Sequence, residues 1–210
     1  MQITRKDLNL IFWGIIIILL DFHYSQTTNG VGFKFDFIPD ILGAIMIFLG
    51  VFSISGSVIA NPSFLRNMRF VVLGALIQIV LSIDDFFIYH ESVFISSVRE
   101  IASIFISISI VLFSSAMIVL SDEKSLKKSS INWRIARHLF LCLYIVPEVF
   151  LQILSWFAIF PFDIVYKLNS NAANYIVLFF TLFLFLLLPL IYGLYAIQRM
   201  RKEIRETYLE

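Results

Sequence analysis

The chain has 210 residues, of which 60% are apolar and only 15% charged. A water-soluble domain carries roughly a quarter charged residues, so solvated side chains cannot cover this surface, and lipid is the expected solvent for most of it. A net charge of +1 supplies no basic field for nucleic acid, and the single cysteine, Cys142, excludes an internal disulfide and any cysteine-pair redox chemistry.

The pattern predicts an all-α transmembrane bundle of six helices, since a spanning helix needs about 20 apolar residues. Helix 1 is expected over 8–22. It follows Arg5 and Lys6 like a signal sequence but has no small-residue cleavage site, so it reads as retained. A polar stretch, Ser25 to Gly30, precedes the alternation Phe33-Lys34-Phe35-Asp36-Phe37, which suits an extended or interfacial segment. Helix 2 is expected over 39–60, opened by Pro39 and Asp40: proline suits a first turn, and an acid there complements the helix dipole. Asn61-Pro62-Ser63 reads as a turn. Helices 3, 4, 5 and 6 are expected over 68–87, 96–120, 135–160 and 174–197. A basic loop, 121–137, lies between helices 4 and 5, and a charged tail, 198–210, prolongs helix 6. No length remains for a separate soluble domain, so residues 1–210 form one integral membrane domain.

Charge tests this division. Arg5, Lys6, Arg66, Arg69, Lys124, Lys127, Lys128, Arg134, Arg137, Arg199, Arg201, Lys202 and Arg205 fall in alternate gaps or at the ends. These are thirteen of the sixteen cations; Lys34, Arg99 and Lys167 fall in the other gaps. The positive-inside rule therefore predicts both termini in the cytoplasm. The opposite face is acidic, with Asp21, Asp36, Asp40, Asp84, Asp85, Glu91, Glu100 and Asp163. It would concentrate cations, although bases kept inside account for most of the asymmetry.

Several helices carry small or polar stripes. Gly43, Gly50 and Ser57 on helix 2 are spaced for close helix packing. Gly74, Gln78, Ser82 and Asp85 share one face of helix 3. Glu100, Ser103, Ser107 and Ser114 share one face of helix 4 beside Arg99, and Glu148, Gln152 and Ser155 share one face of helix 5. Lipid-facing polar groups are costly, so the stripes are expected to converge inside. There they either bond to one another as glue or line a polar path through Glu148, Gln152, Gln78, Asp85, Arg99, Glu100, Ser103 and Ser107. Glu148 sits near the middle of helix 5 behind Pro147, whose missing N–H frees carbonyls beside the acid. An acid at that depth reads as a proton or cation site, or as a buried acid bonded to a neighbour.

His23 and His90 lack the spacing of a metal site. No phosphate loop, nucleophile elbow or paired-His zinc helix occurs. No catalytic residue, metal or cofactor is therefore expected.

The segment Phe35-Asp36-Phe37-Ile38-Pro39-Asp40-Ile41-Leu42-Gly43 resembles a stretch of small uncharacterised bacterial multi-pass membrane proteins. In those, an apolar-Pro-Asp-x-x-Gly element opens the second helix. The likeness covers about 25 residues, implies a bacterial inner-membrane protein, and carries no activity. The leading expectation is a non-enzymatic membrane protein, transporter-like or an accessory subunit of a membrane assembly. Its partners would be the lipid bilayer, other membrane subunits or a cytoplasmic partner, and not nucleic acid. The alternatives are a sensing or regulatory partner working through the basic loop and tail, and an intramembrane enzyme.

Overall fold

Asn61 shows how this chain starts a helix. Its side-chain oxygen accepts from the backbone N–H of Ser63 at 3.0 Å and of Phe64 at 3.4 Å, and Pro62 occupies the first helical position, where no N–H is needed. The segment expected as a turn is thus a helix cap. A computed structural model describes residues 5–19, 23–28, 31–36, 40–56, 61–87, 93–147, 149–150 and 172–208. Over 23–28, 31–36, 84–87, 93–97, 172–186 and Tyr208 it describes the backbone path.

The described residues contain six helices of at least fourteen residues: α1 (Arg5–Leu19), α2 (Asp40–Ser55), α3 (Pro62–Phe87), α4 (Val93–Glu123), α5 (Lys127–Phe140) and α6 (Ala172–Tyr208). Between α1 and α2 lies an antiparallel hairpin of β1 (His23–Thr28) and β2 (Val31–Asp36), which pairs His23 with Asp36 at one end and Thr28 with Val31 at the other. The alternation around Lys34 is therefore extended, as its period of two predicts. The described residues are helical apart from this hairpin and the turns, so they are not purely α.

Each helix packs on its neighbour in sequence, and α6 packs back on α1, so the six close a ring. The neighbours run antiparallel. The start of α1, the end of α2, the start of α3, the end of α4, the start of α5 and the end of α6 meet at one end, around a core of Leu8, Ile54, Phe64, Met68, Met117, Leu120, Trp133, Ile197 and Met200. All thirteen cations of the alternate gaps lie on the helix ends and connections gathered there.

The α4–α5 connection differs from the expected loop. Leu126 N–H donates to Ser121 O at 2.8 Å and Ser125 N–H to Asp122 O at 3.2 Å, with Ser125 at φ 58°. This is a Schellman close, with a residue in the left-handed region ending α4. α5 then begins at Lys127, not near residue 135. Its buried residues Ser129, Ser130, Trp133, Ala136 and Phe140 recur at helical spacing. Its outer face is basic, which disguises it as a loop when the search is for a lipid-soluble span. A π-turn, Leu141–Ile145, follows, with Val146 N–H donating to Leu141 O. Pro147 cannot donate to the carbonyl of Leu143 and crowds it, and a wider turn accommodates that clash.

Length and apolarity single out two helices that could cross a membrane among the described residues: Pro62–Ile83 and Val98–Glu123. Asp40–Ser55 is apolar but shorter. α1, at 15 residues, is about 22 Å long, less than the ~30 Å of a hydrocarbon core. The outward side chains are nonetheless large and apolar around much of the ring: Trp13, Phe52, Val80, Ile101 and Ile191 are each more than half exposed.

Candidate functional site

A half-open cavity of about 230 Å³ lies among the helices, and all six contribute to its lining. Ile11, Ile15 and Ile18 come from α1, Ile47 and Val51 from α2, and Val71, Ala75 and Gln78 from α3. Ile106, Ser109, Ile110 and Phe113 come from α4, Phe140 from α5 and Leu190 from α6. Only Gln78 and Ser109 among these carry polar side chains. Ser109 donates to its own helix, at 2.8 Å from Phe105 O. The cavity's described lining is almost wholly apolar and includes no titratable side chain.

The expected polar stripes part company here. Gln78 reaches the cavity. Ser82, one turn further along α3, is buried, and its hydroxyl has no hydrogen-bond partner among the described residues. Asp85 lies on the last turns of the α3 backbone. On α4 the stripe is divided along its length: Ser107 and Ser114 are buried, Arg99 is half-buried, and Glu100 and Ser103 are exposed. Ser114 donates to Ile110 O at 3.1 Å and Ser115 to Val111 O at 2.9 Å, so these hydroxyls are satisfied within their own helix and nothing draws them across to another. Glu148, Gln152, Ser155, Ser57 and Pro39 lie outside the described residues.

Gly43 and Gly50 bring α2 onto α1. A methyl on Gly43 would stand 2.7 Å from Gly14 O, and one on Gly50 would stand 2.7 Å from Asp7 O and 2.6 Å from the Ile11 side chain. Both are far inside van der Waals contact, so the two backbones touch where side chains are missing. Asp40 opens α2 and is half-buried. Gly74 makes a similar approach between α3 and α4, where a methyl would lie 2.6 Å from the Ser109 Cβ.

The basic end holds a second constellation, not foreseen in the sequence. α5 has no acid in its first turn and no side-chain cap of its own. Glu203 on α6 supplies one: its carboxylate accepts from the backbone N–H of Lys128 at 3.2 Å and of Ser129 at 2.8 Å, and from the Ser129 hydroxyl. The negative group sits on the positive end of the helix dipole. Below it, the Trp133 ring N–H meets Met200 Sδ at 3.3 Å, and Tyr192 O–H donates to Asn132 Oδ1 at 3.2 Å. α5 is thus fastened to α6 at three levels. The absent cap was the available signal, but no local spacing reveals a partner 74 residues away.

Arg201 lies over the Phe12 ring, 5.9 Å from its centroid. Desolvation by burial, and then the neighbouring Arg5 guanidinium, lower its pKa from the ordinary arginine value. Arg134 pairs with Asp122 at 3.2 Å on the exposed surface. Among the described residues no cluster of three or more His, Cys, Asp or Glu is placed to hold a metal.

Comparison of the chain with protein-family models, with curated proteins and with solved structures returned no match.

Proposed function

We propose that the chain is a multi-pass integral membrane protein that crosses the bilayer six times with both termini in the cytoplasm. It works without a reaction of its own, as an accessory or regulatory member of a membrane assembly. The observation that carries the membrane reading is the outward belt of large apolar side chains around a ring whose cations gather at one end. Contiguous apolar surface of that extent marks contact with lipid or protein, and cations confined to one end follow the positive-inside bias. The likeness of the segment 35–43 to small bacterial membrane proteins supports an inner-membrane location.

Support for an accessory role over a carrier of polar solutes comes from the half-open cavity, where, among the described residues, side chains from six helices meet and only Gln78 and Ser109 are polar. The basic end supports a docking role. What the sequence presented as a loop is a helix held by Glu203, so Lys127, Lys128 and Arg134 stand on a fixed platform facing the cytoplasm.

Transport is the second reading because Gln78 reaches the cavity and the sequence sets an acid, Glu148, in the middle of an apolar run. Reconstitution into vesicles separates the two. The proposal predicts proton and potassium fluxes equal to those of protein-free vesicles. A flux carried by the protein and abolished by Glu148→Gln would replace the accessory reading with a transport one.

A further inference from the structure

α3 presents one continuous stripe outward. At its start, Pro62, Leu65, Arg66, Arg69, Phe70 and Leu73 line an open groove of about 500 Å³. Beyond the groove, Leu76, Val80 and Ile83 follow at helical spacing, and all three are exposed, Val80 by 64%. From Leu73 to Ile83 the stripe is about 15 Å long at 1.5 Å per residue. It holds no polar side chain.

The two arginines stand one turn apart at the basic end, and both are exposed. Among the described residues neither has an ion-pair partner. No Asp or Glu occurs in the sequence from Ile41 to Ile83. The first acid on this helix, Asp84, lies about 22 Å along it from Arg69. Another exposed arginine at this end, Arg134, has a carboxylate beside it. The face therefore ends in two guanidiniums with no ion-pair partner among the described residues, and their planar forks suit phosphate oxygens. An apolar strip leads away from them along the helix axis.

We propose that this face of α3 binds one anionic phospholipid, with Arg66 and Arg69 holding the phosphate and the stripe from Leu73 to Ile83 carrying an acyl chain. The inference rests on the membrane reading above, because only there do the charge and the apolar strip meet lipid at the matching depth. A basic residue at the membrane surface contributes about 1 kcal/mol toward an anionic lipid, so two give a preference of roughly tenfold or more over a zwitterionic lipid.

The test uses the full chain in neutral detergent, titrated with phosphatidylglycerol or phosphatidylcholine of identical chains, with bound lipid counted by native mass spectrometry. The expected result is about tenfold tighter binding of phosphatidylglycerol. That preference falls close to parity in Arg66→Gln/Arg69→Gln, falls partway in Arg69→Gln alone, and is unchanged in Arg134→Gln. Soluble glycerol phosphate is expected to bind far more weakly, since it lacks the chain. Equal affinities in the unaltered protein, or a preference that survives both Arg66 and Arg69 substitutions, would overturn the proposal. So would a detergent-stable dimer that those substitutions dissociate, because the face would then belong to a second copy. A chain that is soluble without detergent would fail the membrane reading itself. A detergent-requiring chain indifferent to lipid charge would fail this inference alone.

Discussion

Glu203 gives α5 the cap that α5's own sequence omits. Leu126 at the cap position has no side-chain oxygen, and the first-turn residues Lys127 and Lys128 add positive charge to an already positive helix end. A carboxylate from α6 meets two of the unpaired N–H groups and the Ser129 hydroxyl. Loss of a helix cap typically costs about 1–2 kcal/mol. Glu203→Ala is therefore expected to lower thermal stability in detergent by that amount, and Glu203→Gln, which keeps an oxygen but not the charge, by less. A melting temperature unchanged in both variants would show that α5 starts without help. Lys202, which reaches Glu206 at 3.8 Å on the surface, belongs to the class of exposed pairs that contribute little, and its replacement should leave the melting curve in place.

At the scale of the helix, legibility followed local chemistry. α2, α3, α4 and α6 stand out as long apolar runs bounded by Pro, Asn or charge. The hairpin was announced by more than the alternation around Lys34: Asn29-Gly30 separates two extended runs, and that dipeptide favours two-residue hairpin loops. α5 was hidden because its basic outer face fails a search for lipid-soluble segments, although Trp133, Ala136 and Phe140 carry the helical period. The convergence of the α4 serines was not legible because nothing in their spacing tells a hydroxyl bonded to its own helix from one reaching across. The glycine approaches between α1 and α2 yield a graded prediction. Gly50→Ala places a methyl 2.6 Å from the Ile11 side chain and 2.7 Å from a backbone oxygen. Overpacking of this kind costs about 1–3 kcal/mol. Gly56→Ala, whose methyl would find its nearest neighbour at 3.6 Å, should change stability by less than about 0.5 kcal/mol. Thermal melts of the two variants in the same detergent compare them directly, and equal effects would mean that α1 and α2 do not meet at these glycines.

Across the whole molecule, the ring carries an apolar exterior and gathers its cations at one end, and the proposed membrane reading sets the middle of the bundle in lipid and the better-packed end in the cytoplasm. Cations scattered over 200 residues of sequence come together because each helix reverses the direction of the last. The α4–α5 turn places the middle of the chain at the same end as both termini. The most direct test is site-specific labelling in intact cells. Cys142 is replaced first, and Ser125→Cys, Asn29→Cys and Ser170→Cys are then introduced one at a time, with reporter fusions on each terminus. The account predicts that Asn29→Cys and Ser170→Cys react with a membrane-impermeant thiol reagent added outside. Ser125→Cys and both termini should stay protected until the membrane is opened. Termini found in different compartments, or a Ser125→Cys that labels from outside, would contradict it.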